Sequence, residues 1–316
     1  MRRMHAAAKT ALYAALKLPG RSKGLLLEVK ARSIHPSSTF PSSSGFEVNL
    51  ETIDPGPNGS VRICLELTDV RYGDVFAVLA DNVAKAVASS ATEKEGVAAL
   101  IGRLKTWQKF LKRHGDGMLS EQEQTGLFAE LYVLRELLAW GMAASDAVGA
   151  WHGPWSGAQD FRFSSCSVEV KATASPGATS FEVSNLMQLD ERPLPCLLVR
   201  YLALVKTESQ GQTLPDMIDD ITAAILKADT AAAIRFSDSL LEVGYSEAHR
   251  ADYGRDGFVV HSDRQFRVEG DFPRIHADEV RSGVTACSYS VHLPACLPFL
   301  IHAAEGCRII HGFSDE

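Results

Sequence analysis

Cys196 to Val205 reads Cys-Leu-Leu-Val-Arg-Tyr-Leu-Ala-Leu-Val, ten residues with a single charge. A near-continuous apolar run of this length is what a central strand covered on both faces requires. Helical cover is legible on either side of it. Ser120-x-x-Glu123 has the spacing of a capping box, and Leu127, Leu131, Leu134 and Leu138 follow it at helical spacing. That helix is expected to run to about Trp140, with Gly141 as its stop. Leu214 to Lys227 is amphipathic, with Met217, Ile218, Ile221 and Ile225 on one face. Phe181–Val183, Leu240–Val243, Phe258–His261, Gln265–Val268 and Ala286–Leu293 are strand-like.

Between the two helices lies Asp160-Phe-Arg-Phe-Ser-Ser-Cys-Ser-Val-Glu-Val-Lys171. Apolar and polar residues alternate on both sides of Ser164-Ser165, which predicts a β-hairpin. A two-residue turn there sets Phe163 against Cys166, Arg162 against Ser167, Phe161 against Val168 and Asp160 against Glu169. Asp160, Glu169 and Lys171 then share one face. Two opposed carboxylates repel, unless a divalent cation between them reverses the sign. Glu130 projects from the apolar stripe of the preceding helix, three residues after Leu127 and four before Leu134. A carboxylate there needs a partner. That partner is either an arginine such as Arg135 or the hairpin's polar face.

Residues 145–159 read as a loop rich in glycine and tryptophan. His152 has no evident partner, and Trp151 and Trp155 are expected to cover the sheet rather than stack on bases. Six arginines between Arg250 and Arg281 form either a phosphate-contacting strip or, with the acids interleaved among them, a mixed solvated surface.

The first third of the chain reads as a small α+β module. Strands are expected over Phe46–Ile53 and Val61–Leu67, and helices over residues 73–89 and 97–112. A turn is expected over 54–59, an irregular loop over 34–45 and a frayed helix over the first twenty residues. Glu28-Val29-Lys30 repeats the tripeptide of 169–171 with no aspartate anywhere before it, so an edge or surface strand is expected there. Gly115-Asp-Gly117 marks the boundary, giving a module over 1–115 and a second domain over 116–316.

At 316 residues, 46% hydrophobic and 22% charged, the chain can bury a sizeable core. Its net charge of -7 gives no overall basic field. The six cysteines make no C-x-x-C pair, which suits reduced thiols in a cytoplasmic protein. No run of 18 apolar residues marks a membrane helix.

Asp160 followed by Glu169-x-Lys171, behind a helix with an inward glutamate, resembles the PD-(D/E)XK nuclease superfamily. Gln159 stands where that name puts proline. Gly126-Leu-Phe-Ala-Glu-Leu131, Ser184-Asn-Leu-Met-Gln-Leu189 and Phe272-Pro-Arg274 look like one bacterial family of PD-(D/E)XK-motif proteins. The resemblance implies an α/β (α+β) fold with a restriction-endonuclease-like core, a central mixed sheet flanked by helices. It also implies a catalytic set of Asp160, Glu169, Lys171, Glu130 and Gln188. The activity implied is Mg²⁺-dependent hydrolysis of DNA, with Mn²⁺ as a substitute. Asp160, Glu169 and Glu130 are the implied metal ligands, and two carboxylates plus a substrate phosphate satisfy a cation that keeps several waters. The Lys171 ammonium would orient the attacking hydroxide and offset charge on the phosphorus. The family is implied to sit among restriction and phage-defence genes, beside helicase-like ATPases and DNA methyltransferases. A homodimer would allow double-strand cleavage.

Two other readings stand beside this one. The first is a silent or partner-activated DNA-binding or assembly subunit that keeps the nuclease fold. The second is a structural protein in which Lys171 merely bridges Asp160 and Glu169.

Overall fold

The computed structural model describes residues 1–17, 22–55, 59–115, 117–155, 158–175, 177–192, 194–208 and 210–312. Asp116 of the expected boundary, residues 56–58 of the expected turn, residues 18–20 of the expected first helix, Ser156-Gly157 of the loop before Asp160, and Pro176 lie outside them. The chain forms two compact units. One holds residues 1–118 and 244–249, and the other residues 119–243 and 250–316.

The first unit is a five-stranded antiparallel sheet with two helices. Its strands are β1 (Arg2–Met4), β2 (Ala11–Lys17), β3 (Ser22–Lys30), β4 (Phe46–Thr52) and β5 (Ser60–Leu67), in the order β1-β2-β3-β5-β4. Helix α1 (Gly73–Ala88) turns Val75, Phe76, Leu79, Val83 and Val87 inward, and α2 (Glu93–His114) buries Leu100, Leu104, Trp107 and Leu111. Two expectations fail here. The first twenty residues contain strands, because Leu12 to Leu16 find a paired partner in β3 that a free helix would lack. The Glu28 strand is interior rather than an edge. Leu25, Leu26 and Leu27 are all buried, as a strand covered on both faces demands.

The second unit opens with α3 (Glu121–Ala139). Ser120 and Glu123 make both bonds of the capping box, and Gly141 at φ 88° ends the run as glycine can. Then follow α4 (Ala144–Ala150), β6 (Phe161–Arg162), β7 (Ser167–Thr173), β8 (Ser180–Val183), β9 (Leu197–Thr207) and β10 (Gln212–Thr213). The remainder is α5 (Leu214–Ala228), α6 (Thr230–Glu242), α7 (Arg250–Tyr253), β11 (Gly257–Arg267), β12 (Tyr289–His292), α8 (Leu293–Cys296), β13 (Leu300–Ile301) and α9 (Ala303–Ile310).

The main sheet runs β10-β11-β9-β7-β6, with β13 also on β11. β7 and β9 are parallel, and the other pairs are antiparallel. β9 is the apolar run, buried from Leu197 to Leu204 at the centre of the sheet. This is the mixed sheet flanked by helices expected of a restriction-endonuclease-like core. Leu197, Val199, Tyr201 and Ala203 join Phe181, Val183, Phe266 and Val291 in one buried cluster on one side of it. β8 pairs with β12 in a separate two-stranded sheet.

Three segments depart from expectation. Leu240–Val243 is not a strand but the end of α6, where Phe236 and Leu240 bury one helical face behind an Asp229 cap. Phe258–His261 and Gln265–Arg267 belong to one strand, β11, with a bulge between Val260 and Ser262. Residues 145–150 of the expected loop are helical, within α4. Among the described residues, no helix is long and apolar enough to cross a membrane.

Candidate active site

The hairpin has the register its alternation dictates. Phe161 lies opposite Val168 and Arg162 opposite Ser167, and the Phe163 N–H donates to the Cys166 carbonyl at 2.8 Å across Ser164-Ser165. The ladder stops one step short of Asp160. Its carbonyl instead accepts from the backbone of His152 at 2.7 Å and of Gly153 at 3.0 Å, and its Oδ2 accepts from the Val170 N–H at 2.7 Å. These bonds pin the carboxylate against β7.

Glu169 is 1% exposed, in register with Val199 of the central strand. Its Oε1 sits 2.8 Å from Lys171 Nζ, while Oε2 is buried without a hydrogen-bond partner. Lys171 Nζ also donates to Gln188 Oε1 at 2.8 Å, and that oxygen accepts from the Ser184 N–H at 2.9 Å. Gln188 lies in a short turn of helix capped by Asn185. Lys171 therefore bridges Glu169 and Gln188 rather than Glu169 and Asp160.

Glu130 comes from the middle of α3. It does not pair with Arg135, whose Nη1 donates to Gln212 at 2.6 Å. The Trp151 indole N–H donates to Glu130 Oε2 at 2.7 Å instead. Gly153 explains how the loop passes so close. A Cβ there would lie 2.5 Å from Glu130 Oε2 and 3.3 Å from Asp160 Oδ1, so only glycine leaves room for both carboxylates. Trp151 and Gly153 have no signature in the sequence beyond the Trp-His-Gly that ends the approach to Asp160. Their roles depend on how the loop folds back over α3.

The electrostatics follow from burial. Desolvation raises Glu169 well above the ordinary carboxylate range. The Asp160 charge adds to that, and Lys171 opposes it. Glu130 is raised well above its usual value by burial and then by Asp160, against the Trp151 bond. Asp160 is pushed up to about 6 by burial, although the Val170 N–H and Lys171 favour its charged form. The Asp160 charge raises both glutamates, and a single lysine opposes it.

The donor set suits a hard divalent cation. It offers carboxylate oxygens, and one of them is buried and unpartnered. The three acids do not meet as tightly as another group does. Among the described residues, the set of three ligand-type side chains with atoms all within 4.8 Å of one another is Asp190, Glu191 and His276. There Asp190 pairs with Arg192 at 2.7 Å and Glu191 with Arg274 at 2.9 Å, and Arg274 Nε donates to His276 at 3.1 Å. Two arginines already neutralise that cluster, although Glu191 Oε2 is also buried without a hydrogen-bond partner. At the hairpin, Glu169, Asp160 and Glu130 are instead drawn to Lys171, Val170 and Trp151 respectively.

The arginine-rich segment is a mixed surface. Arg250 pairs with Asp219, Arg255 with Asp252, Arg267 with Glu269 and Arg274 with Glu191. Trp151 is buried, and Trp155 is half exposed.

No curated protein and no solved structure matches the chain. Residues 1–294 match the family described as "Putative PD-(D/E)XK family member, (DUF4420)". With the match spanning almost the whole chain, over both units and every residue of the hairpin site, the protein belongs to this PD-(D/E)XK family.

Proposed function

We propose that the second unit is a Mg²⁺-dependent nuclease that hydrolyses phosphodiester bonds in DNA. The observation that carries the reading is the buried, unpartnered Oε2 of Glu169, set beside Lys171 and facing the charges of Asp160 and Glu130. A carboxylate oxygen left orphaned in a protein interior costs free energy. A bound cation would remove that cost.

Asp160 and Glu169 would hold the ion, and Glu130 would act on it through a water. A divalent ion at such a site supplies Lewis acidity toward a phosphoryl oxygen and a lowered pKa for water. The chain's own groups do the rest. Val170 fixes the Asp160 carboxylate through its N–H, and Gln188 fixes Lys171. Lys171 offers an ammonium that offsets charge gathering on phosphorus.

Supercoiled plasmid is the substrate for the test, and calorimetric titration with Mg²⁺ or Mn²⁺ gives a second readout. The unaltered protein should bind the ion and cut. Asp160→Asn should lose both, and Lys171→Ala should lose cutting while it stays folded. Cutting that survives Lys171→Ala sinks the assignment.

A second reading has one observation in its favour, the looser approach of Glu130, Asp160 and Glu169 compared with Asp190, Glu191 and His276. On that reading the chain is a subunit whose site closes only when a partner delivers DNA. The family resemblance suggests a helicase-like ATPase or a DNA methyltransferase of a cytoplasmic restriction or phage-defence system as that partner. Cleavage that appears only on adding such an ATPase would favour it.

A further inference from the structure

The first unit carries a feature the hairpin site does not use. From Gly96 to Gly115 the chain holds no aspartate or glutamate, and neither does the stretch from Ala31 to Phe46. The fold brings these two stretches together. One cavity lies between α2 and the segment around Ser37, and it includes Lys94 and Lys105 in its wall. A second lies between the same helix and Ser42 to Ser44, and it includes Lys109 and Lys112. No carboxylate residue lines either cavity. The segment is tied to the helix by Gln108, whose Nε2 donates to the Ser42 carbonyl at 2.6 Å.

All four lysines are exposed, and among the described residues none has a carboxylate partner. They differ in this from the paired arginines of the other unit. Lys105, Lys109 and Lys112 are spaced four and three apart, which puts them on one stripe of α2. From Lys94 to Lys112 the helix rises about 27 Å, close to eight steps of duplex at about 3.4 Å each. Facing them are the hydroxyls of Ser37, Ser38, Thr39, Ser42 and Ser43, groups that donate to phosphate oxygens.

In a chain of net charge -7, a furrow whose walls carry lysines and hydroxyls and no carboxylate is where a polyanion can approach. No Phe, Tyr or Trp lines either cavity, so an unpaired base would find no ring to stack on. We infer that the α2 furrow binds the sugar–phosphate backbone of duplex DNA, without reading its sequence. The choice of DNA as the polyanion rests on the nuclease reading of the second unit.

Binding of a 30-base-pair duplex to the full-length protein, measured in EDTA over a range of salt, tests this. Lys105→Ala/Lys109→Ala/Lys112→Ala should weaken binding roughly tenfold or more and lower the salt slope by between about 2 and 3. Alanine keeps helix propensity at these exposed positions, so the variant should fold. Lys105→Arg/Lys109→Arg/Lys112→Arg should bind as the unaltered protein does. No duplex binding by the unaltered protein, or an unchanged affinity and slope in the alanine variant, overturns the furrow. Mg²⁺ titration of the hairpin site is read separately. Loss of ion binding and cutting with furrow-dependent DNA binding intact would remove the nuclease and leave the furrow standing.

Discussion

Two strands of this protein carry the same tripeptide, Glu-Val-Lys, and both lie inside a sheet. On β3, Glu28 stands across from Arg62 of the next strand, and the two side chains meet at 2.7 Å with over a quarter of each exposed. Lys30 Nζ donates to a serine, Ser60, at 3.2 Å, and the residue is exposed. On β7, Glu169 is 1% exposed, and the side chain of Lys171 is 11% exposed. The acids near Glu169 outnumber the bases. At Glu28 the charge is balanced by a neighbour and shared with water. At Glu169 the charge is left in deficit of cations. A sequence motif becomes a site when the fold withholds its compensation.

The strongest way to break this comparison is to treat both strands alike. Glu169→Gln and Lys171→Ala should each lower DNA cleavage by about 10²–10³-fold or more. Glu28→Gln and Lys30→Ala should leave the rate unchanged. Equal losses at the two strands would mean that burial is not what separates them.

A smaller effect is expected from the groups that hold the β7 site open. Gly153→Ala pushes a methyl against Glu130 Oε2, and Trp151→Phe removes the donor to the same oxygen. Ion affinity by calorimetry should fall by about 10–100-fold in each, as when an outer partner of a metal ligand is lost. Their circular dichroism should stay that of the unaltered protein.

Next is the response to pH. Asp160 sits at about 6 in the fold against an ordinary 3.8, so between these values the folded chain binds more protons than the unfolded one. Stability from this group is then present at low pH and lost as pH rises through about 6. In EDTA the melting temperature should fall between pH 5 and pH 7.5, by an amount worth roughly 1–3 kcal/mol. Asp160→Asn should flatten that fall, and Mg²⁺ should reverse it. Glu28→Gln should do neither.

The smallest effect belongs to the balanced strand. Arg62→Ala should cost only about 0.2–1 kcal/mol, the usual worth of a pair that water still reaches. A larger loss by chemical denaturation would mean that the Glu28 pair is a buried one after all.

Much of the fold is legible in the order of residues. Period-2 alternation sets the hairpin register at Phe161 and Val168, because a slip of one residue would turn every apolar side chain to the wrong face. The run at 196–205 announces the central strand, and Ser120 with Glu123 announces the start of α3. The failures cluster where local pattern and tertiary partner disagree. Residues 2–4 and 11–17 form strands, the second of them because β3 offers it hydrogen bonds. Leu240–Val243 is too short for its period to distinguish a strand from a helix end.

Side-chain periodicity follows from backbone geometry alone, so the order of residues settles which of them carry charge and which faces they share. It therefore puts Asp160, Glu169, Lys171 and Glu130 in view together. Their partners were settled by the tertiary fold. It sent Glu130 to Trp151 rather than Arg135, set Lys171 between Glu169 and Gln188, and left one oxygen of Glu169 with nothing. Those outcomes depend on which distant segments arrive and how much water they exclude. Burial, unlike alternation, is a property of the whole fold.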